Sequence, residues 1–231
     1  RLIPGEDTTI EYKPKYLDPS LISQSPSIAI GQAKQEIIRM GEYSVQGLQE
    51  AMQHINKYDK KHVNTAAQIE EALNSLDQKT TEYLVAISKQ SLSGHDSKVH
   101  NTLLENIRDI ERIGDHVENL IELTEFKENN GAELSAEAMQ ELNDMLELVV
   151  ETVSLAIQSL DKLDVEAAKQ ALANEDQIDD MERKLRKHHI KRLNEGTCTG
   201  SAGVIFVDII SNLERVGDHA ANIAESVINL K

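Results

Sequence analysis

Two ten-residue stretches decide the fold of this chain: ERIGDHVENL at residues 111–120 and ERVGDHAANI at residues 214–223, which lie 103 positions apart. Each begins with a Glu that is followed four residues later by an Asp. Because an α-helix has about 3.6 residues per turn, this spacing places both carboxylates on one helix face. Like charges so placed destabilise a bare helix, so a chain that repeats them is expected to use them, with a cation as the partner. The pairs are Glu111 with Asp115 and Glu214 with Asp218.

The composition is typical of a helical bundle rather than a β-sandwich. Of the 231 residues, 39% are apolar and 28% are charged, with four prolines, no Trp, two Phe and five Tyr. This is enough apolar material for a folded core, and the length allows one large domain or two of about 110 residues. The formal net charge of −16 repels nucleic acid and anionic lipid headgroups and attracts cations. With so few aromatic side chains to stack on bases, we expect no nucleic-acid partner.

Cysteine usage and hydropathy bear on the compartment. Cys198 is the single cysteine and cannot form an internal disulfide, so we expect a reducing compartment. No apolar run approaches the roughly 18 residues of a membrane helix, and no signal peptide is visible. The chain begins at Arg1 rather than Met. We therefore expect either a fragment of a longer protein or removal of a short leader.

The first 24 residues differ from the rest, because they hold three of the four prolines and an Asp-Pro-Ser turn signal. We expect an extended arm or linker there. Ser25 and Pro26 then have the pattern of an N-cap followed by Pro at the first helical position. Helical periodicity continues from there to the C-terminus. The predicted helices cover about residues 26–56, 59–89, 98–127, 135–160, 164–193 and 204–231, with breaks at 91–97, 129–131 and 196–203.

The six predicted helices form an internal repeat. The halves match at an offset of 105 early on, where Met40 corresponds to Met145 and Asp59 to Asp164, and at 103 in the third helices. A repeat of this size predicts an all-α fold of two pseudo-symmetric three-helix bundles with short connections. The predicted division is residues 1–24 for the arm, 25–130 for the first bundle and 131–231 for the second.

The second helix of each half carries a further polar row. Both rows are spaced i, i+4 and i+7, which keeps the side chains within about 60° of one another around the helix. If these rows face the third helices, about four carboxylates converge in each half and raise one another's pKa. Cations such as Fe, Mn, Mg or Ca, with Zn possible, relieve this repulsion. The predicted metal ligands are Glu70, Asn74, Asp77, Glu111 and Asp115 in the first half and Glu175, Asp179, Glu182, Glu214 and Asp218 in the second.

Two alternatives compete with a metal site. Acidic helix faces are commonly only solvated, and a salt-bridge lattice with Arg108, Arg112 and Arg215 is the other possibility. On the third helices the same face extends to further oxygen-bearing side chains, which are Asn119, Glu122, Asn222 and Glu225.

Residues beside the repeated Asp have secondary roles. His116 and His219 point about 100° away from it, which favours an outer-shell or surface role over ligation. Gly114 and Gly217 cost about 1 kcal/mol each inside a helix, which indicates close helix packing or close approach of an ion.

Nothing in the sequence predicts an enzyme. A di-iron bundle needs Glu-x-x-His on two helices, and no Glu here has His three residues later. The chain has no phosphate-binding glycine loop, no G-x-S-x-G and no zinc spacing of Cys and His. Cys198 has no visible catalytic partner, and the basic stretch around His188 and His189 is expected to be a solvated face.

With these motifs the chain resembles the PhoU family across about residues 26–230. The resemblance rests on the doubled E-R-x-G-D, on the earlier acidic rows and on the two-fold repeat. It implies two three-helix bundles with metal clusters on the carboxylate motifs, often iron and sometimes zinc, manganese or magnesium. It also implies a regulatory role in phosphate uptake and signalling. Asn74 departs from the pattern, since the second half has Asp179, so the first site should bind metal less well.

The arm adds a second resemblance. LDPSLISQSPSIAI at residues 17–30, followed by EIIRMG at 36–41, is similar to the link and first helix of the PhoU-like tails that follow the membrane domain of bacterial Na+/phosphate cotransporters. The main hypothesis is therefore a metal-binding regulatory domain on the cytoplasmic side of the membrane, with the transporter domain upstream in the same chain.

Other hypotheses stay open. The chief alternative is a stand-alone PhoU-like adaptor that docks on a phosphate transporter or sensor kinase without metal. A metal-dependent hydrolase or oxidase is disfavoured, because no base or nucleophile stands beside the ligands. The apolar stripes also allow a homodimer.

Overall fold

The computed structural model describes residues 10–230, and helices make up nearly all of them. Within this range there are seven helices and no strand, so the predicted all-α fold is confirmed. Six of the helices are long, and the seventh is a single turn in the arm. The helices are α1 (Leu21–Gln24), α2 (Pro26–Asn56), α3 (Lys60–Ile87), α4 (Gly94–Asn129), α5 (Ala136–Lys162), α6 (Val165–Asn194) and α7 (Gly200–Leu230).

Side-chain caps set the first residue of most long helices. Asp59 accepts a hydrogen bond from the backbone N–H of Lys61 at 2.9 Å, and Ser135 accepts one from that of Ala138 at 3.1 Å. Asp164 accepts from two backbone N–H groups of the first turn of α6. These bonds satisfy donors that have no partner within the helix. Ser25 makes no such bond, so α2 depends on the preset backbone of Pro26 for its start.

Both glycine-rich breaks are shorter than the sequence predicts. α4 begins at Gly94, because Ser93 accepts from the N–H of Asp96 at 3.0 Å and so caps an earlier start. α7 begins at Gly200, not after Gly203, because Gly203 is buried in its first turn. A Cβ at Gly203 would collide with the ring of His189 on α6. Gly203, which indicates a loop in the sequence, is therefore a packing position in the structure, whereas a Cβ at Gly94 or Gly200 would meet no neighbour within 4 Å.

The long helices pack as two bundles. α2, α3 and α4 contact one another, and so do α5, α6 and α7. Two further contacts, between α4 and α7 and between α2 and α5, join the halves across one continuous core. Within the described chain, α3 and α6 contact no long helix of the other half. The acidic rows therefore lie where an outer helix meets the third helix of its own bundle.

Close packing occurs beside the acidic rows, as the two glycines inside E-R-x-G-D predict. A Cβ added at Gly114 would lie 2.7 Å from Cδ1 of Leu73 on α3. One added at Gly217 would lie 3.3 Å from Ile178 on α6. Leu73 and Ile178 occupy equivalent places in the repeat. Glycine at these positions brings the carboxylate-bearing helices together.

The described part of the arm packs against the first bundle. Ile10 is buried in the core, and Glu36 on α2 is fully buried. One carboxylate oxygen of Glu36 accepts from the backbone N–H groups of Lys15 and Tyr16, at 2.8 and 3.0 Å. Arg39 donates to Glu36 from Nε at 2.7 Å and to the carbonyl of Lys13 at 2.8 Å. The rest of the predicted arm, residues 1–9 with Pro4, lies outside the described residues.

Candidate functional site

The second half brings three predicted ligands into one cluster. α6 carries Glu175 and Asp179, and α7, which packs against it, carries Asp218. One carboxylate oxygen from each of the three can be chosen so that all lie within 4.8 Å of one another. The side chains are partly open to solvent, so an ion can reach them. The i, i+4 spacing predicts this meeting of the two rows.

The carboxylates of this cluster repel one another, which raises the pKa of several of them. Burial raises the pKa of Glu175, and the charges of Asp179 and Asp218 raise it further. Burial likewise raises the pKa of Glu214, followed by the charges of Asp218 and Asp179. For Asp218, burial and then Asp179 raise the pKa, against a smaller opposing effect of neighbouring cations. A proton or a cation therefore stabilises the cluster, and the all-oxygen donor set suits a hard cation.

Glu182 completes the predicted row but is engaged elsewhere. Arg186 donates to its Oε1 from Nε at 2.8 Å and from Nη2, and Nη2 also donates to Ser211 on α7 at 2.9 Å. Arg183 pairs with Asp179 at 3.3 Å. The salt-bridge alternative is therefore partly realised, but through Arg183 and Arg186 rather than Arg215. Both bonds use Oε1, so a metal-ligand role for Glu182 would rest on its Oε2.

The first half places its carboxylates opposite one another with less convergence. Burial raises the pKa of Glu111, and the charges of Asp115, Asp77 and Glu70 add to it. Burial also raises the pKa of Asp77, opposed by a hydrogen bond from Thr81 and by the charge of Arg108. Within residues 10–230, no first-half set of three ligand atoms meets as closely as the second-half cluster.

Asn74 accounts for part of this difference. Its amide donates to Glu70 Oε1 on the same helix face, where the second half has the carboxylate of Asp179. Arg112 donates to Asp115 at 2.9 Å and lies 3.7 Å from Glu111, which neutralises part of the α4 row. The first half therefore has a smaller negative charge and one ligand oxygen fewer.

The two histidines join the halves, so the expected surface role is wrong, and the expected outer-shell role stays a prediction. His116 on α4 is buried, and its Nδ1 lies 2.8 Å from Oδ1 of Asn212 on α7. In the symmetric arrangement, Nδ1 of His219 on α7 lies 2.8 Å from Oδ1 of Asp109 on α4. The ring centroids are 5.7 Å apart. Burial lowers the pKa of His116, which its bond to Asn212 opposes only in part.

The partners of these histidines are contact residues between the halves that sequence reasoning missed. Asp109 and Asn212 each precede their own helix's His by seven residues, at the offset of 103. Early residues of α4 pair with late residues of α7, so the two helices are antiparallel. The two amides expected to face the ligand rows also bind here, since Asn222 donates to Asp109 at 3.0 Å and Asn119 to Asn212 at 3.3 Å. The sequence signal for these contacts was the spacing Asp/Asn-x6-His, which occurs once in each half.

The predicted solvated basic face is buried in part. His189 and Arg192 lie in the interior at the end of α6, and Arg192 donates to Glu141 on α5 at 2.8 Å. His188 is exposed and bonds the same carboxylate. Cys198 is half-buried and forms no disulfide within the described range. No helix in that range is long and apolar enough to cross a membrane.

Comparison with known proteins adds a family match and several relatives. The profile described as "PhoU domain" matches residues 37–124 and 142–227. A "Phosphate-specific transport system accessory protein PhoU homolog 1" of Thermotoga maritima is 34% identical over 130 residues, 56% of this chain, and the match spans only 55% of that relative. A second relative, from Xylella fastidiosa, is described as a "Phosphate-specific transport system accessory protein PhoU homolog". It is 28% identical over 195 residues, which are 84% of this chain and 81% of that relative.

Two solved structures share the fold. The crystal structure of PhoU from Pseudomonas aeruginosa superposes with a TM-score of 0.82 at 20% identity, covering 87% of this chain and 95% of its own. A phosphate transport system regulatory protein PhoU from Streptococcus pneumoniae gives 0.79 at 20% identity, covering 89% and 96%. At this identity the likeness supports the two-bundle architecture alone.

Proposed function

This chain belongs to the PhoU family, and from that membership we propose that it is an accessory protein that regulates phosphate transport. It acts as an adaptor that docks on a phosphate transporter or on the sensor kinase that responds to phosphate, and it catalyses no reaction. The names of its relatives support this role, since those proteins are described as accessory to a phosphate-specific transport system. The division into an arm of residues 1–24 and bundles of residues 25–130 and 131–231 is part of the same proposal.

We further propose that the adaptor binds metal in its second half. The observation that carries this is the convergence of Glu175, Asp179 and Asp218 on two packed helices. Glu214, whose pKa the same charges raise, completes the donor set. Fe, Mn, Mg or Zn would supply the positive charge that these carboxylates otherwise obtain from protons. The positive charge of a bound ion removes the repulsion between the carboxylates of α6 and those of α7.

A weaker site in the first half follows from the same chemistry. Glu70, Asp77, Glu111 and Asp115 form the donor set there, with Oδ1 of Asn74 as a neutral ligand, since the bond to Glu70 uses only the amide nitrogen. Arg112 must also release Asp115 for full coordination. We therefore propose that the second-half site fills first.

Elemental analysis tests the metal proposal. Protein purified without chelator should contain bound metal, and the E175Q/D179N double variant should lose that of the second half. D180N is the matched control, because Asp180 lies on the same helix but is exposed and paired with Arg183. A metal content near zero in the unaltered protein, or equal contents in both variants, contradicts metal binding.

Phosphate uptake tests regulation separately. Cells that lack this protein should lose the normal control of uptake, and the unaltered chain should restore it. If E175Q/D179N restores control fully, the adaptor works without its second-half metal. If the unaltered chain restores nothing, the proposed regulatory role is wrong, whatever the metal content.

A second candidate is the same domain attached to a Na+/phosphate cotransporter, on the cytoplasmic side of the membrane. The arm favours it, because the buried pair of Glu36 and Arg39 fixes residues 13–16 against α2. A connection held in this way transmits movement between a membrane domain and the bundle. The reading frame upstream of Arg1 separates the two candidates: membrane segments there support attachment, and an immediate start codon excludes it.

A further inference from the structure

A buried guanidinium with an unused edge lies at the C-terminal end of α6. Arg192 is only 6% exposed, and its Nη1 donates to Oε2 of Glu141 on α5 at 2.8 Å. Its Nε and Nη2 are also buried, and they have no hydrogen-bond partner among the described residues. These two nitrogens lie on one edge of the planar guanidinium, so their N–H groups point in the same direction. The free edge of Arg192 can therefore bind two oxygens of a single acceptor group.

Two other arginines show what the same edge binds elsewhere in the molecule. In Arg39, Nε and Nη2 both donate to Oε1 of Glu36. In Arg186, the same two nitrogens donate to Oε1 of Glu182. Each of these edges binds a carboxylate, whereas the edge of Arg192 binds no described residue. Buried donors are rarely left without an acceptor, so the chemistry of this edge points to an oxyanion as the partner of Arg192.

His189 adds a second unpartnered polar group beside Arg192. It precedes Arg192 by three residues on α6 and is 3% exposed, and its Nε2 has no hydrogen-bond partner in the described chain. Both side chains pack on Phe206 of α7. The ring centroids of His189 and Phe206 are 5.5 Å apart, and Cζ of Arg192 lies 5.2 Å from the Phe206 centroid. Gly203, in the first turn of α7, leaves the space next to Nε2 free of a Cβ.

The repeat shows that the fold does not require polar side chains at these two places. At the offset of 105, His189 and Arg192 correspond to Leu84 and Ile87, which are fully buried in the first bundle. Burial of a cation or of an unpaired polar group costs free energy that apolar residues at the same places do not cost. A ligand that accepts hydrogen bonds from both side chains would offset that cost.

The local charge balance leaves Arg192 short of negative charge. Glu141 is the only acidic partner of Arg192 among the described residues, and its other oxygen, Oε1, bonds His188. In the first turn of α7, which packs against α6 here, the backbone N–H groups of Gly200 and Ser201 have no acceptor in the described range. The N-terminus of a helix attracts anions through such free N–H groups and through the helix dipole. The surroundings of Arg192 therefore favour a negatively charged ligand.

We propose that this end of the second bundle binds a small oxyanion of the phosphate class. The Nε–Nη2 edge of Arg192 donates to two oxygens of the anion, and His189 donates to a third. A tetrahedral anion has that third oxygen free, whereas a carboxylate uses both of its oxygens on the arginine edge. Because the nitrogens are covered, the anion enters when the small residues of GTCTGSAG, at 196–203, move aside. This site is separate from the acidic rows and does not require metal.

Isothermal titration of the whole chain with inorganic phosphate tests the proposal, at fixed ionic strength and with chelator present, so that bound metal cannot hold the phosphate. R192K keeps a positive charge for Glu141 but lacks the edge with two donors, so it should weaken phosphate binding by about tenfold or more. K187Q, which removes a charge from the exposed face of the same helix, should change binding by less than about twofold. Acetate should bind more weakly than phosphate. E175Q/D179N should bind phosphate as the unaltered chain does, so failure of the metal proposal would leave this result unchanged.

Four results overturn the proposal: no phosphate binding by the unaltered chain, equal binding by R192K and K187Q, acetate binding as tight as phosphate binding, or loss of phosphate binding in E175Q/D179N. A local readout in the unaltered protein keeps the test valid if R192K does not fold. Phosphate should shift the Nε–H resonance of Arg192 and leave those of Arg39 and Arg186 unmoved, since carboxylates already occupy their edges. An unmoved Arg192 resonance alongside bound phosphate places the anion elsewhere and also overturns the proposal.

Discussion

His219 donates from Nδ1 to Oδ1 of Asp109 across 2.8 Å, and this bond joins the last helix of the second half to the last helix of the first. The direction is set by the carboxylate, which when ionised only accepts hydrogen bonds. The symmetric bond, from His116 to Asn212, has a neutral amide as acceptor. Of the two histidine bonds between the halves, one therefore has a charged acceptor and the other a neutral one.

The first prediction concerns this pair. Replacing Asp109 with Ala should lower the free energy of unfolding by about 1–3 kcal/mol, because partly buried His219 loses a charged acceptor and Asn222 loses its partner. Replacing Asn212 with Ala should cost less, about 0.5–1.5 kcal/mol, since its bond to His116 is not charge-assisted. Urea denaturation in the presence of chelator measures both. Equal costs would show that the charge on Asp109 adds nothing to the junction.

The second prediction is a pH dependence of the metal-free protein. The raised pKa values of Glu175, Glu214 and Asp218 mean that the folded state binds protons more tightly than the unfolded state. Their unfavourable contribution is complete at pH above the raised values. It disappears as the pH falls through them toward the ordinary carboxyl range. Lowering the pH from 7 toward about 5 should therefore stabilise the metal-free protein through these groups.

The difference between variants isolates this contribution from other titrating groups. E175Q/D179N should be more stable than the unaltered chain at pH 7 without metal, and the advantage should shrink on acidification. With metal present the order should reverse, because only the unaltered chain is stabilised by binding. Thermal unfolding with and without metal measures both. If the two proteins behave alike under all conditions, the acidic face is merely solvated.

The third prediction concerns the asymmetry at Asn74. N74D gives the first half the carboxylate that Asp179 provides in the second, so it should increase metal affinity there. In metal-free protein the same change should destabilise, because one more negative charge joins Glu70 and Asp77. N64D, at an exposed position on the same helix, controls for charge alone. If metal titration finds that N74D binds metal no more tightly than N64D, Asn74 is not the cause of the difference in affinity between the two halves.

The fourth prediction compares two glycines. A helix gains about 1 kcal/mol when Gly becomes Ala, but overpacking a buried contact costs about 1–3 kcal/mol. G114A forces a Cβ to within 2.7 Å of buried Leu73 and should be destabilising. G217A meets Ile178 at 3.3 Å, a tight contact that a small shift relieves, and should be close to neutral. Chemical denaturation should therefore give G114A a lower free energy of unfolding than G217A. A lower value for G217A would contradict the packing argument.

The sequence predicted the regular parts of this molecule well and the junction poorly. Pro26–Asn56 was predicted to the residue, because Pro at the first position and an uninterrupted apolar stripe are local signals. Gly94 and Gly200 were assigned to loops, because a local pattern does not distinguish a loop glycine from one at which a helix begins. The same limit applies to His116 and His219, whose partners lie on the other half. Which surfaces of the two halves meet depends on packing that neither half encodes alone.

At the candidate site, too, local features could be predicted from the sequence and contacts between helices could not. The acidic rows follow from spacing within single helices, so their ten residues could be named, together with the neutral Asn74 where the second half has Asp179. The ion pair between Arg186 and Glu182 could not be predicted from the sequence. Glu182 has an arginine four residues later and acidic residues nearby, and its side chain can turn toward the arginine or toward the acidic row. Rotamer choice at that position depends on Ser211 of α7, which holds the guanidinium in place.

The fifth prediction concerns the arm. Replacing Glu36 with Ala removes the acceptor of two backbone N–H groups and leaves Arg39 buried without its carboxylate. A broken buried ion pair costs about 3–5 kcal/mol, and the arm should become sensitive to proteases. E42A, at an exposed position on the same helix, is the control. Limited proteolysis that leaves the E36A arm as resistant as that of E42A would show that other contacts hold it.

The hydrogen bonds from residues 13–16 to Glu36 and Arg39 also have a mechanical meaning. Because they involve only the arm's backbone, the side chains of residues 13–16 can change without removing these bonds. A pull on the chain from the N-terminal side would reach α2 at Glu36, about three turns from its first residue, before it reaches Pro26. The several bonds would share that load and break together, so the first bundle should withstand tension that would unravel a helix pulled from its end.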